Sequence, residues 1–172
     1  MNYKAKLEEI ELFVFDYDGV FTDGIVLLMD NGTNVRRANT RDGFAVQWAI
    51  KQGLKIAVLT GGKENAVEKR MKFLGVEEIH MGCSDKLKSL VTLCARLGVD
   101  LDKVLYMGDD MPDYPAMENV GLPVCPKDAA NDILEISKYV SPFEGGKGCV
   151  RDILEQVMKL KGLWSTENAY KW

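Results

Sequence analysis

The chain has 172 residues, 47% of them hydrophobic and 28% charged, with a formal net charge of −4. That length suits one well-cored domain, and no apolar run approaches the length needed to cross a bilayer, so membrane insertion is excluded. The acidic balance, without any basic run or basic-aromatic stripe, argues against nucleic acid as a partner.

The first residues carry acids where a signal peptide would be hydrophobic, and a cytoplasmic location is expected. Four cysteines (Cys83, Cys94, Cys125, Cys149) lie far apart with no Cys-x-x-Cys pair, so they read as reduced core residues rather than as a zinc or redox motif. His80 is the only histidine. It reads as a partly buried structural residue, and chemistries that depend on several histidines lose their main actor.

In chain order, Leu12 to Phe15 is a short run of strand formers followed at once by Asp16-Tyr17-Asp18-Gly19. A buried strand would deliver Asp16 to its carboxyl end, where ligands bind in open parallel α/β sheets. Gly19 permits a sharp turn that aims Asp16 and Asp18 at opposite sides of one bound atom. Taken alone, the pair favours the reading of ordinary turn carboxylates that cap the strand's exit. Two apolar runs around Asp30-Asn31-Gly32 predict a β-hairpin over about 24–38, a flap above the strand end. Asp42 is the expected N-cap of an apolar helix that runs to Gly53, and Arg41 beside it suits an anion contact.

Lys55 to Leu59 is a second buried strand, ending in Thr60-Gly61-Gly62-Lys63 before a helix from about Glu64 to Leu74. Strand, threonine, glycines and helix make phosphate-binding grammar, although the segment lacks the spacing of a Walker loop. A helix cap is the competing reading of Thr60. A short strand from Glu78 leads to Asp85-Lys86 at the start of an amphipathic helix, and a lysine at the positive end of a helix dipole is either a surface residue or held there for an anion. Lys103 to Met107 is again a buried strand, ending in Gly108-Asp109-Asp110-Met111-Pro112-Asp113. Three acids at one strand end repel one another unless a cation sits among them. Beyond this come short strands near Val124 and Tyr139, a glycine-rich loop at Gly145 to Gly148 expected to be flexible, a helix from about Cys149 to Lys161, and an aromatic tail over about 163–172. The alternation predicts α/β architecture, a Rossmann-like parallel sheet with helices on both faces.

The ordered set Asp16/Asp18, Thr60, Lys86 and Asp109/Asp110/Asp113 resembles the four motifs of the haloacid dehalogenase superfamily, over roughly Leu12 to Arg151. A phospho-receiver module uses similar groups, but there the lysine comes last, whereas Lys86 precedes the Asp109 cluster. A dinucleotide-binding module is disfavoured because no Gly-x-Gly-x-x-Gly follows a strand. More narrowly, Asp16 to Gly24, Asn39-Thr40-Arg41-Asp42-Gly43, Gly108-Asp109-Asp110 and Gly145 to Arg151 look like the family of 3-deoxy-D-manno-octulosonate 8-phosphate phosphatases, with nine-carbon sugar-acid 9-phosphates as the alternative substrate class. The resemblance implies a phosphorylated sugar-acid substrate, Asp16 as nucleophile and Asp18 as general acid and base. It implies Mg²⁺ on Asp16, Asp109 and the carbonyl of Asp18, with Asp110 and Asp113 behind the ligands. Thr60 and Lys86 would hold the phosphoryl oxygens, with Gly61, Lys63, Arg41 and Lys147 on the substrate. The spacing leaves no room for a separate cap domain, so the flap is expected to pair in a homotetramer whose neighbours cover each site.

Overall fold

The computed structural model describes residues 3–164 and 169. Its elements in chain order are α1 (Tyr3–Glu9), β1 (Leu12–Phe15), β2 (Leu27–Leu28), β3 (Asn34–Val35), α2 (Thr40–Lys51), β4 (Lys55–Leu59), α3 (Asn65–Phe73) and β5 (Glu78–His80). They continue with α4 (Lys86–Leu97), β6 (Val104–Met107), α5 (Tyr114–Glu118), β7 (Leu122–Cys125), α6 (Asn131–Ile136), β8 (Tyr139–Val140) and α7 (Cys149–Leu160). Six strands form one sheet in the order β5-β4-β1-β6-β7-β8, and every pairing in it is parallel. This is the architecture expected from the sequence, and β2 and β3 form the separate antiparallel flap. Among the described residues, no helix is long and apolar enough to cross a membrane.

The central strands are buried on both faces, and their side chains alternate between two cores, which is why they read as continuous apolar runs. Phe13 and Phe15 of β1, Ile56 and Val58 of β4, and Leu105 and Met107 of β6 join one core with residues of α2, α3 and α7. Leu12 and Val14, Ala57 and Leu59, and Val104 and Tyr106 join the other, with α4, α5 and α6. The helix α7 shows how the pattern docks: Cys149, Val150, Ile153, Leu154, Val157 and Met158 are all buried and recur at helical spacing along one face.

The registry that follows matters for function. Phe15 pairs with Val58 of β4 on one side and Met107 of β6 on the other, so all three strands end at one level. The residues immediately beyond them therefore gather at one edge, where β1 is flanked by chain segments that leave in opposite directions.

Two local expectations are corrected. The N-cap of α2 is Asn39, whose side chain accepts from the Arg41 N–H at 2.8 Å. Asp42 instead turns inward, fully buried, and its Oδ1 accepts from the Arg151 N–H at 2.8 Å in the first turn of α7. Burial pushes the Asp42 carboxyl up to about 6, against the pull of the α7 amides. The glycine-rich loop is anchored rather than loose. The Gly145 N–H donates to Asp128 Oδ1 at 2.8 Å, the Gly146 N–H donates to the Val20 carbonyl at 2.9 Å, and Asn39 Nδ2 donates to the Gly146 carbonyl at 3.0 Å. A Cβ on Gly145 would overlap the backbone of Gly19, so only glycine lets this loop brace the turn that follows Asp16. Of the aromatic tail, Trp164 packs edge-on to Phe44 and lies beneath the Arg151 guanidinium, whereas Tyr170 and Trp172 lie outside the described residues.

Candidate active site

Asp16 leaves β1 with its N–H bonded to the Met107 carbonyl of β6 at 2.9 Å, which fixes its backbone between the two central strands. The chain then tightens. The Tyr17 carbonyl accepts the N–H groups of Val20, Phe21 and Thr22, and the buried Thr22 hydroxyl accepts those of Gly19 and Gly24, both at 3.2 Å. Gly19 has φ +76°, and a Cβ there would overlap the Asp109 carboxylate. A glycine is required on both counts, since the turn needs left-handed backbone and Asp109 needs the space.

Three carboxylates converge, and two of them hold one lysine. Asp16, Asp109 and Asp113 each offer an oxygen, and these atoms lie within 4.8 Å of one another. Lys86 Nζ sits 2.9 Å from Asp16 Oδ1 and 2.6 Å from Asp113 Oδ1, and the Tyr106 hydroxyl donates to Asp113 Oδ1 at 2.8 Å. Asp113 Oδ2 accepts the Asp109 N–H at 3.3 Å, so both Asp113 oxygens already have protein partners. All three line the cleft, and Asp16 and Asp109 are the two that could offer an oxygen to a cation while Asp113 stays engaged with Lys86 and Tyr106. Asp110 is exposed and spends its Oδ1 on the Met111 N–H at 2.8 Å, as a local cap.

The electrostatics fit a cation site. Burial, then repulsion from Asp113, raises Asp16 to about 7 even though Lys86 pulls the other way. Burial, then repulsion from Asp16 and Asp113, raises Asp109 to about 8. Burial works against the charge on Lys86, but Asp16 and Asp113 outweigh it and hold the ammonium protonated. Two carboxylates kept reluctant to ionise, with oxygen donors alone and no sulfur or imidazole among them, suit a hard divalent cation.

The other expected residues divide into two groups. Thr60 lies buried at the end of β4, and its hydroxyl accepts the Gly62 N–H at 3.1 Å, so it shapes the loop rather than capping α3, whose N-cap is Glu64. Asp18, Thr60, Gly61 and Gly62 line a cleft of about 590 Å³ with Asp16, Lys86 and Asp109. Lys63, Arg41 and Lys147 do not line it. Lys63 is exposed and lies over Gly82, while Arg41 and Lys147 face a second cavity of about 550 Å³ beside α7. Lys147 is paired there with Glu144.

The cleft is also lined by Cys83, which the sequence places in the core, and by Arg36, which the sequence does not point to. Cys83, half-buried, lines it where its N–H donates to the Thr60 carbonyl at 2.9 Å. Arg36, just past β3 in the flap, reaches Asp18 Oδ1 through Nε at 2.5 Å and Glu64 Oε1 through Nη1 at 3.2 Å. The only sequence signal for Arg36 was its place at the foot of a hairpin that returns to the acidic turn.

Comparison with known proteins agrees with this geometry. A family model for haloacid dehalogenase-like hydrolases matches residues 75–151. The chain is 35% identical over 158 residues to the 3-deoxy-D-manno-octulosonate 8-phosphate phosphatase KdsC of Escherichia coli K12, covering 92% of this chain and 84% of that protein. It superposes with a TM-score of 0.91 and 35% identity on a probable YrbI family phosphatase from Pseudomonas syringae, covering 94% of this chain and 92% of that one. A third relative is the 3-deoxy-D-manno-octulosonate 8-phosphate phosphatase of Moraxella catarrhalis, solved in complex with magnesium, phosphate and KDO. It has a TM-score of 0.89 and 33% identity, with 93% of this chain and 92% of that one covered. Sequence, fold and site geometry converge: the chain belongs to the haloacid dehalogenase-like hydrolases, as a close relative of the 3-deoxy-D-manno-octulosonate 8-phosphate phosphatases.

Proposed function

We propose that this protein is a Mg²⁺-dependent phosphatase that hydrolyses 3-deoxy-D-manno-octulosonate 8-phosphate to the free sugar acid and phosphate, in the cytoplasm, during lipopolysaccharide precursor synthesis. The observation that carries the reading is the Asp16–Lys86–Asp113 cluster with Asp109 beside it, set at the ends of β1 and β6 in a chain so similar to enzymes of that name.

Asp16 attacks phosphorus through a carboxylate oxygen, the bond from phosphorus to the sugar oxygen breaks, and Asp18 gives that oxygen its proton. Water then attacks the aspartyl-phosphate, its proton passes to Asp18, and Asp16 is released with phosphate. Lys86 and Thr60, with the Gly61 loop, hold the phosphoryl oxygens in place and balance their charge. Asp16, Asp109 and the Asp18 carbonyl would hold Mg²⁺, with Asp113 behind them, whereas Asp110 serves as a local cap at the exposed end of the loop. When bound, that ion supplies charge neutralisation for a phosphoryl group that is otherwise repelled by the carboxylates. The test is a panel of eight- and nine-carbon 2-keto-3-deoxy sugar-acid phosphates beside neutral sugar phosphates. The eight-carbon acid is expected to give the highest kcat/KM. A preference for the nine-carbon acid would move the assignment to that substrate, and no phosphate release from any of them would overturn it.

The same reading makes the enzyme a homotetramer. Ile25, Leu27, Leu28 and Met29 of the flap are more than half exposed, and Leu28 reaches 80%. An apolar two-stranded ribbon of this kind is stable when it is covered by copies of itself. Arg41 and Lys147, which lie outside the lining of their own cleft, then act on a neighbour's substrate. Leu28→Asp is expected to give a smaller species by sedimentation with a raised KM. A wild-type protein that sediments as a monomer with full activity would refute the shared-site arrangement.

A further inference from the structure

Among the described residues lining the cleft, only two carry positive charge, Lys86 and Arg36. They are held in different ways. Lys86 is fixed at the floor between the buried Asp16 and Asp113. Arg36 comes from the flap, and its guanidinium is stretched between carboxylates on two walls, Asp18 on the nucleophile turn and Glu64 beyond β4. Its own side chain is only 12% exposed, whereas Asp18 is 36% and Glu64 31% exposed, so the cation is sheltered and its partners are wet.

Each of those carboxylates takes a single N–H from Arg36, while Glu64 also accepts the Lys63 N–H at 3.0 Å. Neither forms the two-point fork in which a planar guanidinium binds a carboxylate best. Both partners are reached by water, so each can be resolvated if another carboxylate takes its place on the guanidinium. A ligand that brings its own carboxylate and takes two N–H groups from one edge of Arg36 would be preferred over the present arrangement. The phosphoryl end of a substrate has its own partners on the floor, in Thr60 and Lys86. Arg36 lies beside Asp18, the residue that serves the departing sugar oxygen, and therefore on the leaving-group side.

Taking the sugar-acid phosphatase reading as its basis, we propose that Arg36 is a specificity-determining residue that binds the carboxylate of the substrate, leaving Asp18 and Glu64 to do so. In the free enzyme these two acids hold the guanidinium in the cleft. On binding, the substrate carboxylate replaces them, which releases Asp18 toward the sugar oxygen and makes the acid group of the sugar part of what the site recognises. Neutral sugar phosphates of similar size lack the group that draws Arg36 away.

The test compares wild type, Arg36→Gln and Arg36→Lys on two substrates, the eight-carbon sugar-acid phosphate and a pentose 5-phosphate without a carboxylate, with thermal melts to confirm folding. A charged hydrogen-bonded contact corresponds to roughly a 10- to 100-fold effect. Arg36→Gln is expected to lower kcat/KM for the sugar-acid phosphate by about that factor, mainly through KM, whereas the pentose phosphate, for which Asp18 is then no longer tied to Arg36, should show no loss or turn over faster. Arg36→Lys, which keeps the charge but not the fork, should fall between. Calorimetric binding of the free sugar acid, which carries no phosphate, should weaken in parallel. Equal losses on both substrates would overturn the assignment in favour of a role through Asp18 or the phosphoryl group, and no loss on either would make Arg36 a spectator. If wild type itself fails to hydrolyse the sugar-acid phosphate, the underlying reading falls too, which the wild-type measurement alone reveals.

Discussion

Replacing Asp16 with asparagine is expected to abolish turnover, by on the order of 10⁴-fold or more, while leaving the fold intact. The loss follows from the attacking atom: an amide oxygen is a far poorer nucleophile toward phosphorus than a carboxylate, and it is also a weaker ligand for a hard cation. The retained fold follows from the surroundings. The amide oxygen of the variant can still accept from Lys86, 2.9 Å away in the native protein, and the change in volume is slight. The substitution also removes one of three carboxylates that repel one another in a buried site, the repulsion that helps to raise Asp109 to about 8. In metal-free buffer the variant should therefore melt no lower than the native protein. Acid-quenched samples given phosphate-labelled substrate should carry label on native protein and none on Asp16→Asn. Appreciable turnover by the variant would move the nucleophile elsewhere, and Asp109 would be the first place to look.

The gathering of Asp16, Thr60 and Asp109 at one edge of the sheet was legible because it is written in short-range grammar. A buried strand of four or five residues can be read from its apolar run, and whatever follows it lies at the strand's carboxyl end, so Asp16, Thr60 and Asp109 needed no tertiary information beyond the parallel sheet. Lys86 was legible as an anomaly, a lysine at the wrong end of a helix dipole, and the structure explains the anomaly by Asp16 and Asp113. What escaped were contacts that depend on how segments fold back. Arg36 and Asp18 are 18 residues apart, joined by a hairpin whose tilt no local pattern specifies. Asp42 was misplaced because two polar residues at a helix start compete for one role. Asn39 takes the local cap, and Asp42 is left to reach 109 residues along the chain to α7. Gly145 and Gly146 looked like flexibility, whereas their missing side chains serve close approach to Gly19 and Thr22. Glycine alone does not say which of these it means.

Removing divalent metal is expected to abolish activity and to change how stability depends on pH. With Asp16 raised to about 7 and Asp109 to about 8, both acids are harder to ionise in the folded protein than in the unfolded chain, whose carboxyls titrate near 4. A group of this kind contributes stability that is fully present below the unfolded pKa and is lost as pH rises through the folded one. The metal-free protein should thus melt at progressively lower temperature between about pH 4 and pH 8. Bound Mg²⁺ reverses the preference, because it interacts with the ionised forms only, and the saturated protein should lose that slope and bind the ion more tightly as pH rises. At a concentration of about 100 Kd the stabilisation is about 2.7 kcal/mol, or roughly 5–10 °C in Tm for a chain of this size. Asp42, raised to about 6, contributes a slope of its own with or without metal, so the quantity to plot is the difference between paired melts in chelator and in Mg²⁺. That difference should widen steadily from pH 5 to pH 8.5 in the native protein and nearly vanish in Asp109→Asn. Activity that survives exhaustive chelation, or a melting difference that ignores pH, would mean that the carboxylates at the end of β6 do not hold a metal.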